Sequence, residues 1–547
     1  VRTLLEAHER LQTIQGTVAR LVLEEGGRRV VGIETLEGRR FAARSVVITT
    51  GTFLRGRIHI GTETALAGGR AGESSTTHLA EQLERAGLEV ARFKTGTPPR
   101  IDGRTVDASR LVAQPSELGE SGYRWSHFWE RGAGGPPQQQ HSPGAAFDRH
   151  QIAAGIAPPS LPQLDCLITY LDAPGKSIIH ENIARSAMYG GAISAQGPRY
   201  CPSVEDKIVR FPDAERHQLF LEPEGLDTTE MYVNGLSTSL PPAVQVEVLR
   251  SIEGLAQVQM TRAGYAIEYD YYPPTQLDAT LQSRAVAGLY FAGQVNGTTG
   301  YEEAAGQGYI AGLNASRAAR GDTPVILGRE TSFIGVLVDD LVTRGVDEPY
   351  RLFTSRSEFR LTVRQDNAIA RLSRVAREAG LYDAREDAIV SRRLAMEADA
   401  LRLADETSVQ PATVAELLAN VSSPPLAHAV RIAELAKRQD VSLQSLLEAA
   451  GLGGRIDDEA IITAELELKY AGYFARERSQ ADKLRKMGAF PLPAGLPYGE
   501  MRSLSVEARQ KLSRLQPQSL AQASRVPGIN PTDLQNLVME VEKRRRG

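Results

Sequence analysis

Apolar and polar residues alternate in three successive runs near the start of the chain: TIQGTVARLVLEE, RRVVGIETL and RRFAARSVVITTG. Period-two alternation predicts half-buried strands, and Gly26-Gly27 and Glu37-Gly38 stand where hairpin turns belong. Val46, Val47 and Ile48 break the alternation with a continuous apolar run ending at Thr49-Thr50-Gly51, the pattern of a buried strand feeding a loop. A short helix is expected over 3–10, ahead of this meander. Residues 92–160 carry so many Gly, Pro and Gln that loop structure is expected, GAGGPPQQQHSPG at 132–144 most of all. Residues 286–316 read as a strand, a glycine-rich loop and a helix. From about 350 the pattern turns helical. In the last segment Leu534, Leu537, Val538 and Val541 share one face, with Asn530 as N-cap and Pro531 in the first turn.

Length and composition narrow the class. At ~150 residues per domain, 547 residues make three to four domains. Hydrophobic content of 41% and charged content of 24% are those of a globular protein. No apolar run approaches the ~18 residues of a membrane span, and the opening VRTLLEAHERLQ, with no long apolar core, is not expected to be a secretory signal. The two cysteines, Cys166 and Cys201, cannot form a disulfide framework, so a reducing cytoplasm is expected. CxxC and HExxH are both absent from the sequence, which argues against a structural zinc site. A net charge of −4 gives no global signal for nucleic acid, although a local basic face suffices.

Three constellations can carry chemistry. The first is the strand ending at Gly293 with its following loop: Gln294, Asn296, Gly297 and Gly300 precede a helix. Helix N-terminal amides favour an anion or an electron-rich ring edge, and glycines admit a flat ligand close to the backbone. The bland reading is a ligand-free corner. Gly306-Gln307-Gly308-Tyr309-Ile310-Ala311 matches a dinucleotide fingerprint but falls inside the helix, so it is set aside. The second constellation surrounds Cys201, whose cationic neighbours Arg199, Lys207 and Arg210 would lower its pKa, with Glu205 and Asp206 as acid-base candidates. A lone cysteine is more often structural, and Cys166 in DCLITYL reads as a core cysteine. The third is KYAGYFARERSQADKLRKM, where Lys469, Tyr473, Arg476, Arg478, Lys483 and Arg485 combine cations for phosphates with rings for bases. Arg356, Arg360, Arg364, Arg371, Arg374 and Arg377 form another basic run, and Lys543-Arg544-Arg545-Arg546 a third. A solvated, salt-bridged helix face is the competing reading for each.

Together with TGTFLRGRIHIG, RFKTGTPPRID, GPRYCPSVEDKIVRF, GLYFAGQVNGTTGYEEAAGQG, LELKYAGYFARE and QASRVPGINP, these segments make the chain resemble the MnmG or GidA family, the tRNA uridine 5-carboxymethylaminomethyl modification enzymes. The resemblance runs in family order from near residue 1 to 547. It implies a glutathione-reductase-like α/β flavoprotein with two dinucleotide-binding (Rossmann-type) regions, an α/β insertion and a C-terminal all-helical domain. The implied boundaries are an incomplete first part of the FAD domain at 1–90, an NAD-binding and insertion region at 91–264, the second part of the FAD domain at 265–350, and a helical domain for tRNA and partner at 351–547. Implied FAD contacts are Val18, Thr76, Gly293, Gln294, Asn296, Gly297 and Gly300. Implied NAD contacts are Gly197, Pro198, Arg199, Tyr200, Cys201, Pro202, Ser203, Val204, Glu205, Asp206, Lys207, Ile208, Val209, Arg210 and Phe211, and Cys201 matches the family's functional cysteine. The implied reaction puts an aminomethyl or carboxymethylaminomethyl group on carbon 5 of the wobble uridine. It uses FAD, NADH and methylenetetrahydrofolate, with the GTPase MnmE as partner in a heterotetramer built on a homodimer. The family's leading strand, its GxGxxG turn and a second functional cysteine do not occur here. The chain opens on Val1, so a fragment or a late-started reading frame is expected, with weakened FAD binding. Two rivals are a folate- and FAD-dependent tRNA methyluridine methyltransferase, against which the long helical region counts, and a tRNA- or partner-binding chain without flavin activity.

Overall fold

The computed structural model describes residues 5–6, 8–115, 164–195, 197, 202–488, 490–493 and 495–546. β1 (Val18–Leu23), β2 (Val30–Thr35) and β3 (Arg40–Ala42) form the antiparallel meander, with Gly26, Gly27 and Gly38 at positive φ in its turns. β4 (Val46–Ile48) follows, then the hairpin of β5 (Arg57–Ile60) and β6 (Thr64–Ala67) and helix α1 (His78–Arg85). Of residues 92–160, expected as loop, 92–115 contain strands instead, β7 (Ala91–Thr97), β8 (Arg100–Asp102) and β9 (Val112–Gln114), and the rest, 132–144 included, lie outside the described residues. Pairing overrides composition here. All seven residues of β7 are in register with β14 (Tyr265–Tyr271), which holds Gly96 and Thr97 extended just ahead of Pro98-Pro99.

A six-stranded sheet of order β13-β8-β12-β11-β10-β9 includes β10 (Cys166–Leu171), β11 (His217–Pro223), β12 (Glu230–Asn234) and β13 (Met260–Arg262). It shares a core with α2 (Ala173–Glu181), α3 (Val204–Arg210) and α4 (Pro242–Ser251), built on Leu171, Ile179, Val204, Ile208, Leu219 and Val248. Cys166, expected in the core, is half-buried at the start of β10, and burial raises its thiol pKa. A second sheet has the order β6-β5-β14-β7. β15 (Leu289–Phe291) pairs in parallel with β4, Val46 opposite Leu289. That pair lies over a core of Ile48, Leu79, Leu83, Phe291 and Ile310, the last from α5 (Tyr301–Arg320).

After α6 (Phe333–Arg344) the chain is mainly helical, although residues 351–367 are turns and one 3₁₀ segment. α7 (Ala368–Glu378), α8 (Ala384–Glu406), α9 (Asp458–Lys469) and the shorter helices Pro411–Asn420, Ile432–Leu435 and Leu443–Ala449 follow; all but α7 gather around a core that includes Val414, Leu443 and Leu446. α10 (Ala471–Gly488) leads to a last bundle of α11 (Val506–Leu515), α12 (Leu520–Arg525) and α13 (Pro531–Arg546), centred on Tyr498, Leu512 and Leu537. Among the described residues no helix is long and apolar enough to cross a membrane.

Candidate functional site

β4 and β15 run side by side in the same direction, so both end at one place. The carboxyl ends of adjacent parallel strands are where open α/β sheets receive ligands. Two turns meet there. Gly51 (φ 55) follows β4 and Gly293 (φ 86) follows β15. A Cβ placed on Gly51 would stand 3.9 Å from Gln294 Oε1, so the turns face one another. Residues 294–296 form a 3₁₀ turn closed by Gly297 in the left-handed region. Below Gly297 lie Phe93 and Tyr271, stacked with ring centroids 3.8 Å apart. A Cβ on Gly297 would come within 2.7 Å of Val346 Cγ2 and 3.1 Å of both rings, so glycine is required twice over, by sterics and by φ. At Gly300 an added Cβ would collide with the Glu303 carboxylate.

The site is short of hydrogen bonds. Thr50 Oγ1, Asn296 Oδ1, Thr299 Oγ1 and Glu303 Oε2 are all buried without partners. Each such atom costs about 1–3 kcal/mol unless a ligand meets it. Glu303 Oε1, by contrast, accepts from Leu352 N (2.8 Å) and Arg351 Nε (3.1 Å). The buried Tyr269 hydroxyl faces the Gln294 side chain without a well-formed hydrogen bond, and burial pushes its pKa up. The Glu303 carboxylate, in the first turn of α5, offsets the positive end of the helix dipole. A pyrophosphate is therefore not the group favoured there. Hydroxyls and ring N–H groups are, which fits the ribityl and isoalloxazine end of FAD.

Of the expected FAD contacts, Gly293, Gln294, Asn296, Gly297 and Gly300 line this loop. Thr76 braces the neighbouring turn: its N–H donates to Phe53 O (2.9 Å), and its carbonyl accepts from Arg55 N (3.0 Å). Val18 lies in the meander opposite Thr35 and packs on the core below the parallel strands.

The described residues of the 197–211 segment, 197 and 202–211, lie elsewhere. Pro198, Arg199, Tyr200 and Cys201 fall outside the described residues. Ser203 caps α3 in a capping box with Asp206, and Asp206 also accepts from the Tyr189 hydroxyl (3.0 Å). Burial, helped by that carboxylate, pushes the Tyr189 pKa up to about 12. Glu205 is buried, with Oε1 accepting from Thr238 Oγ1 and Ser239 N, both at 2.9 Å. Lys207 donates to Gly235 O, Val204 and Ile208 enter the core, and Val209, Arg210 and Phe211 are exposed. Pro202 is half-buried.

Buried Lys94 lies 3.8 Å from Asp206 Oδ2 and directly beneath Gly197, where an added Cβ would meet its Cε at 2.1 Å. Lys94 and Phe93 are consecutive in β7 and point to opposite faces. The β7–β14 sheet therefore stands between the Gly293 loop and the described part of 197–211. On the Lys94 face are also Glu268, Asp270 and His59, a run of buried charge that alternation alone did not reveal.

In the helical third, several cations of the basic-aromatic run are already paired. Lys469 bonds Glu465 (2.6 Å), Arg478 bonds Glu467 (2.5 Å) and Arg485 bonds Asp482 (3.1 Å). Tyr473 is exposed with Arg476 stacked over it at 4.9 Å, and Lys483 is exposed. In the other basic run Arg364, Arg374 and Arg377 pair with carboxylates. Glu303, Gln307 and Thr50 of the loop site were not found from sequence. Their signal was present as polar side chains among small and apolar residues, at positions that must be buried if the helix and strand are.

The sequence matches the family model for Glucose inhibited division protein A at residues 1–131 and 138–323. It also matches the C-terminal helical domain of the tRNA modifying enzyme MnmG/GidA at 383–478, and the corresponding helical bundle at 480–547. It is 41% identical to the Flavobacterium psychrophilum tRNA uridine 5-carboxymethylaminomethyl modification enzyme MnmG over 543 residues, covering 98% of this chain and 82% of the relative. The Bacillus cereus protein of the same name is 41% identical over 540 residues, with 98% and 81% covered. Two crystal forms of Aquifex aeolicus GidA superpose with TM-scores of 0.82 and 0.81, at 40% and 39% identity, over 99% of this chain and 82% and 81% of theirs. Family models, sequence and fold agree: this chain belongs to the MnmG/GidA family of tRNA-modifying enzymes, mixed α/β proteins with a C-terminal helical domain.

Proposed function

We propose that this chain modifies carbon 5 of the wobble uridine of tRNA, installing an aminomethyl or carboxymethylaminomethyl group as a FAD-dependent enzyme. The observation that carries the reading is the pair of glycine turns at the ends of β4 and β15, with four buried polar atoms that lack partners. When bound, FAD supplies the redox and one-carbon chemistry that no side chain provides. The chain's own residues have separable duties. Gln294, Asn296 and Thr299 present hydrogen-bonding groups to the flavin, and Gly297 and Gly300 keep the backbone close. The 197–211 segment receives NADH, apart from Val204, Glu205 and Ile208, which are buried. Cys201 supplies a thiolate that adds to carbon 6 of the uracil and so activates carbon 5.

Methylenetetrahydrofolate is the one-carbon source in this reading. The anticodon region of tRNA lies on the helical third, where Tyr473, Arg476 and Lys483 present a ring and cations. The three other cations of that run are bound to carboxylates and contribute less. The working assembly is a cytoplasmic homodimer joined to the GTPase MnmE as a heterotetramer. The implied division into FAD, NAD/insertion and helical regions is the frame for these assignments.

Two measurements test this. Purified chain reconstituted with FAD is expected to turn yellow, with flavin absorbance that survives gel filtration. Nucleoside mass spectrometry of tRNA from a strain relying on this gene is expected to detect the modified wobble uridine, and Cys201→Ser to abolish it. Protein that stays colourless, or undiminished nucleoside in the Cys201→Ser strain, counts against the flavin and thiolate assignments respectively. A methyl product in the T-loop would favour the methyltransferase.

A further inference from the structure

We propose that Gln307 is a positioning residue that fixes residues 293–298 in the shape that receives the flavin; this rests on the flavin reading of that loop. Gln307 stands in the second turn of α5 and is 0% exposed. Its carboxamide uses its full hydrogen-bonding capacity. Oε1 accepts from Gly293 N (3.2 Å) and from Asn296 Nδ2 (2.9 Å). Nε2 donates to Thr298 Oγ1 (3.0 Å) and to Glu303 O (3.0 Å). Three of the four partners belong to the loop, at its beginning, middle and end.

The loop needs such a pin. It has a positive-φ glycine near each end, and its internal backbone bonds are Asn296 N to Gly293 O (3.0 Å) and Gly297 N to Gln294 O (2.9 Å). Two glycines leave many loop conformations open, and ordering them costs entropy that a ligand would otherwise have to offset.

Gln307 also sets what the loop displays. Asn296 Nδ2 is held by both Gln307 Oε1 and Phe291 O (3.0 Å). The other end of that amide, Oδ1, is thereby left as a buried acceptor without a partner. Holding the donor end fixes where the acceptor end is presented. Among side chains of this length, a carboxamide alone both accepts twice and donates twice. This also accounts for the Gly306-Gln307-Gly308 stretch, which fails as a dinucleotide fingerprint. Gly306 lies over α6, where an added Cβ would make ordinary van der Waals contact with Ile334 at 3.4 Å, and Gln307, the next residue round the helix, reaches under the loop.

The test uses the full chain with Gln307→Met and Gln307→Glu. In Gln307→Met, amide hydrogen exchange of a 293–299 peptide is expected to speed up about tenfold or more, with the β7–β14 peptides unchanged. The FAD dissociation constant is expected to rise by about tenfold or more, with a changed bound-flavin spectrum. Ionised Gln307→Glu lacks both donors, but its protonated form regains one. Its loop protection is therefore expected to recover as pH is lowered from 8 to 5.5, and that of Gln307→Met is not. If Gln307→Met does not fold, Thr298→Val removes one Nε2 acceptor and is expected to shift loop exchange in the same direction. Unchanged loop exchange, or faster exchange with unaltered FAD affinity and spectrum, overturns the proposal. A wild-type chain that takes up no FAD overturns the flavin reading, and the exchange measurement still decides whether Gln307 holds the loop.

Discussion

His59 is 2% exposed, and its Nε2 stands 3.1 Å from Glu268 Oε2. Burial pushes its pKa below the usual histidine value, outweighing Glu268, while Arg57 and Arg92 add repulsion to the protonated ring. The unfolded chain then binds a proton more readily than the folded one between the folded pKa and ~6.5. This contribution to stability is whole above that upper value and drains as pH falls through the window. The melting midpoint is expected to drop between pH 7.5 and 5.5, and His59→Gln to flatten that slope; equal slopes would refute the assignment. Gly297 makes a different kind of demand. Gly297→Ala brings a Cβ against Val346, Phe93 and Tyr271 at a φ of 79. Overpacking costs about 1–3 kcal/mol, and the left-handed backbone adds about 1. Urea titration reads that loss, and a variant as stable as wild type would mean that the stacked rings yield easily.

Among the described residues β1 pairs with β2 alone, which leaves its other edge without a strand. Gln82 of α1 closes it: Oε1 accepts from Leu21 N (2.7 Å) and Nε2 donates to Leu21 O (2.9 Å), as a neighbouring strand would. Gln82→Leu removes both bonds and leaves a strand N–H and C=O without partners, at an expected cost of about 1–3 kcal/mol. Denaturant melts with an unchanged midpoint would count against it. Elements with local signals were legible in the sequence. The meander, β15 with its glycine loop, and α13 all formed where patterning placed them, and Asp533 N does bond Asn530 Oδ1 (2.9 Å) as the N-cap requires. β7, β8 and β9 were hidden because their partners lie far along the chain, and Gly and Pro outvoted the alternation of Phe93 and Thr95. The site was legible to the same degree. Glycines announced the loop, but Gln307, Glu303 and Thr50 act through burial, which emerges only when β4 is set beside β15.

At the scale of the molecule, a continuous run of bonds joins the loop site to the last helical bundle. Gly297 O accepts from Tyr350 N (2.8 Å), and Thr299 N donates to Tyr350 O (3.2 Å). The Tyr350 hydroxyl donates to Asp340 Oδ2 (2.8 Å), and Asp340 Oδ1 accepts from Arg329 (2.6 Å). Arg329 also bonds Asp339 (3.2 Å), and Asp339 receives Arg525 of α12 (2.6 Å). Arg329 and Asp340 are 2% and 1% exposed, so this network has exchanged hydration for mutual pairing and tolerates an unpaired member poorly. Among the described residues Arg525 is the cation that the bundle contributes to it. Arg525→Ala leaves Asp339 with Arg329 alone, so the loss should fall at or below the ~3–5 kcal/mol of a fully orphaned buried charge. Because that loss is confined to the junction, it should uncouple the two parts rather than weaken both. Calorimetry is expected to resolve an earlier transition for the bundle around Leu512 and Leu537, with the α/β transition unmoved. A single transition shifted as a whole would mean that the bundle is held by its apolar contacts, and that the ion pairs are incidental to its docking.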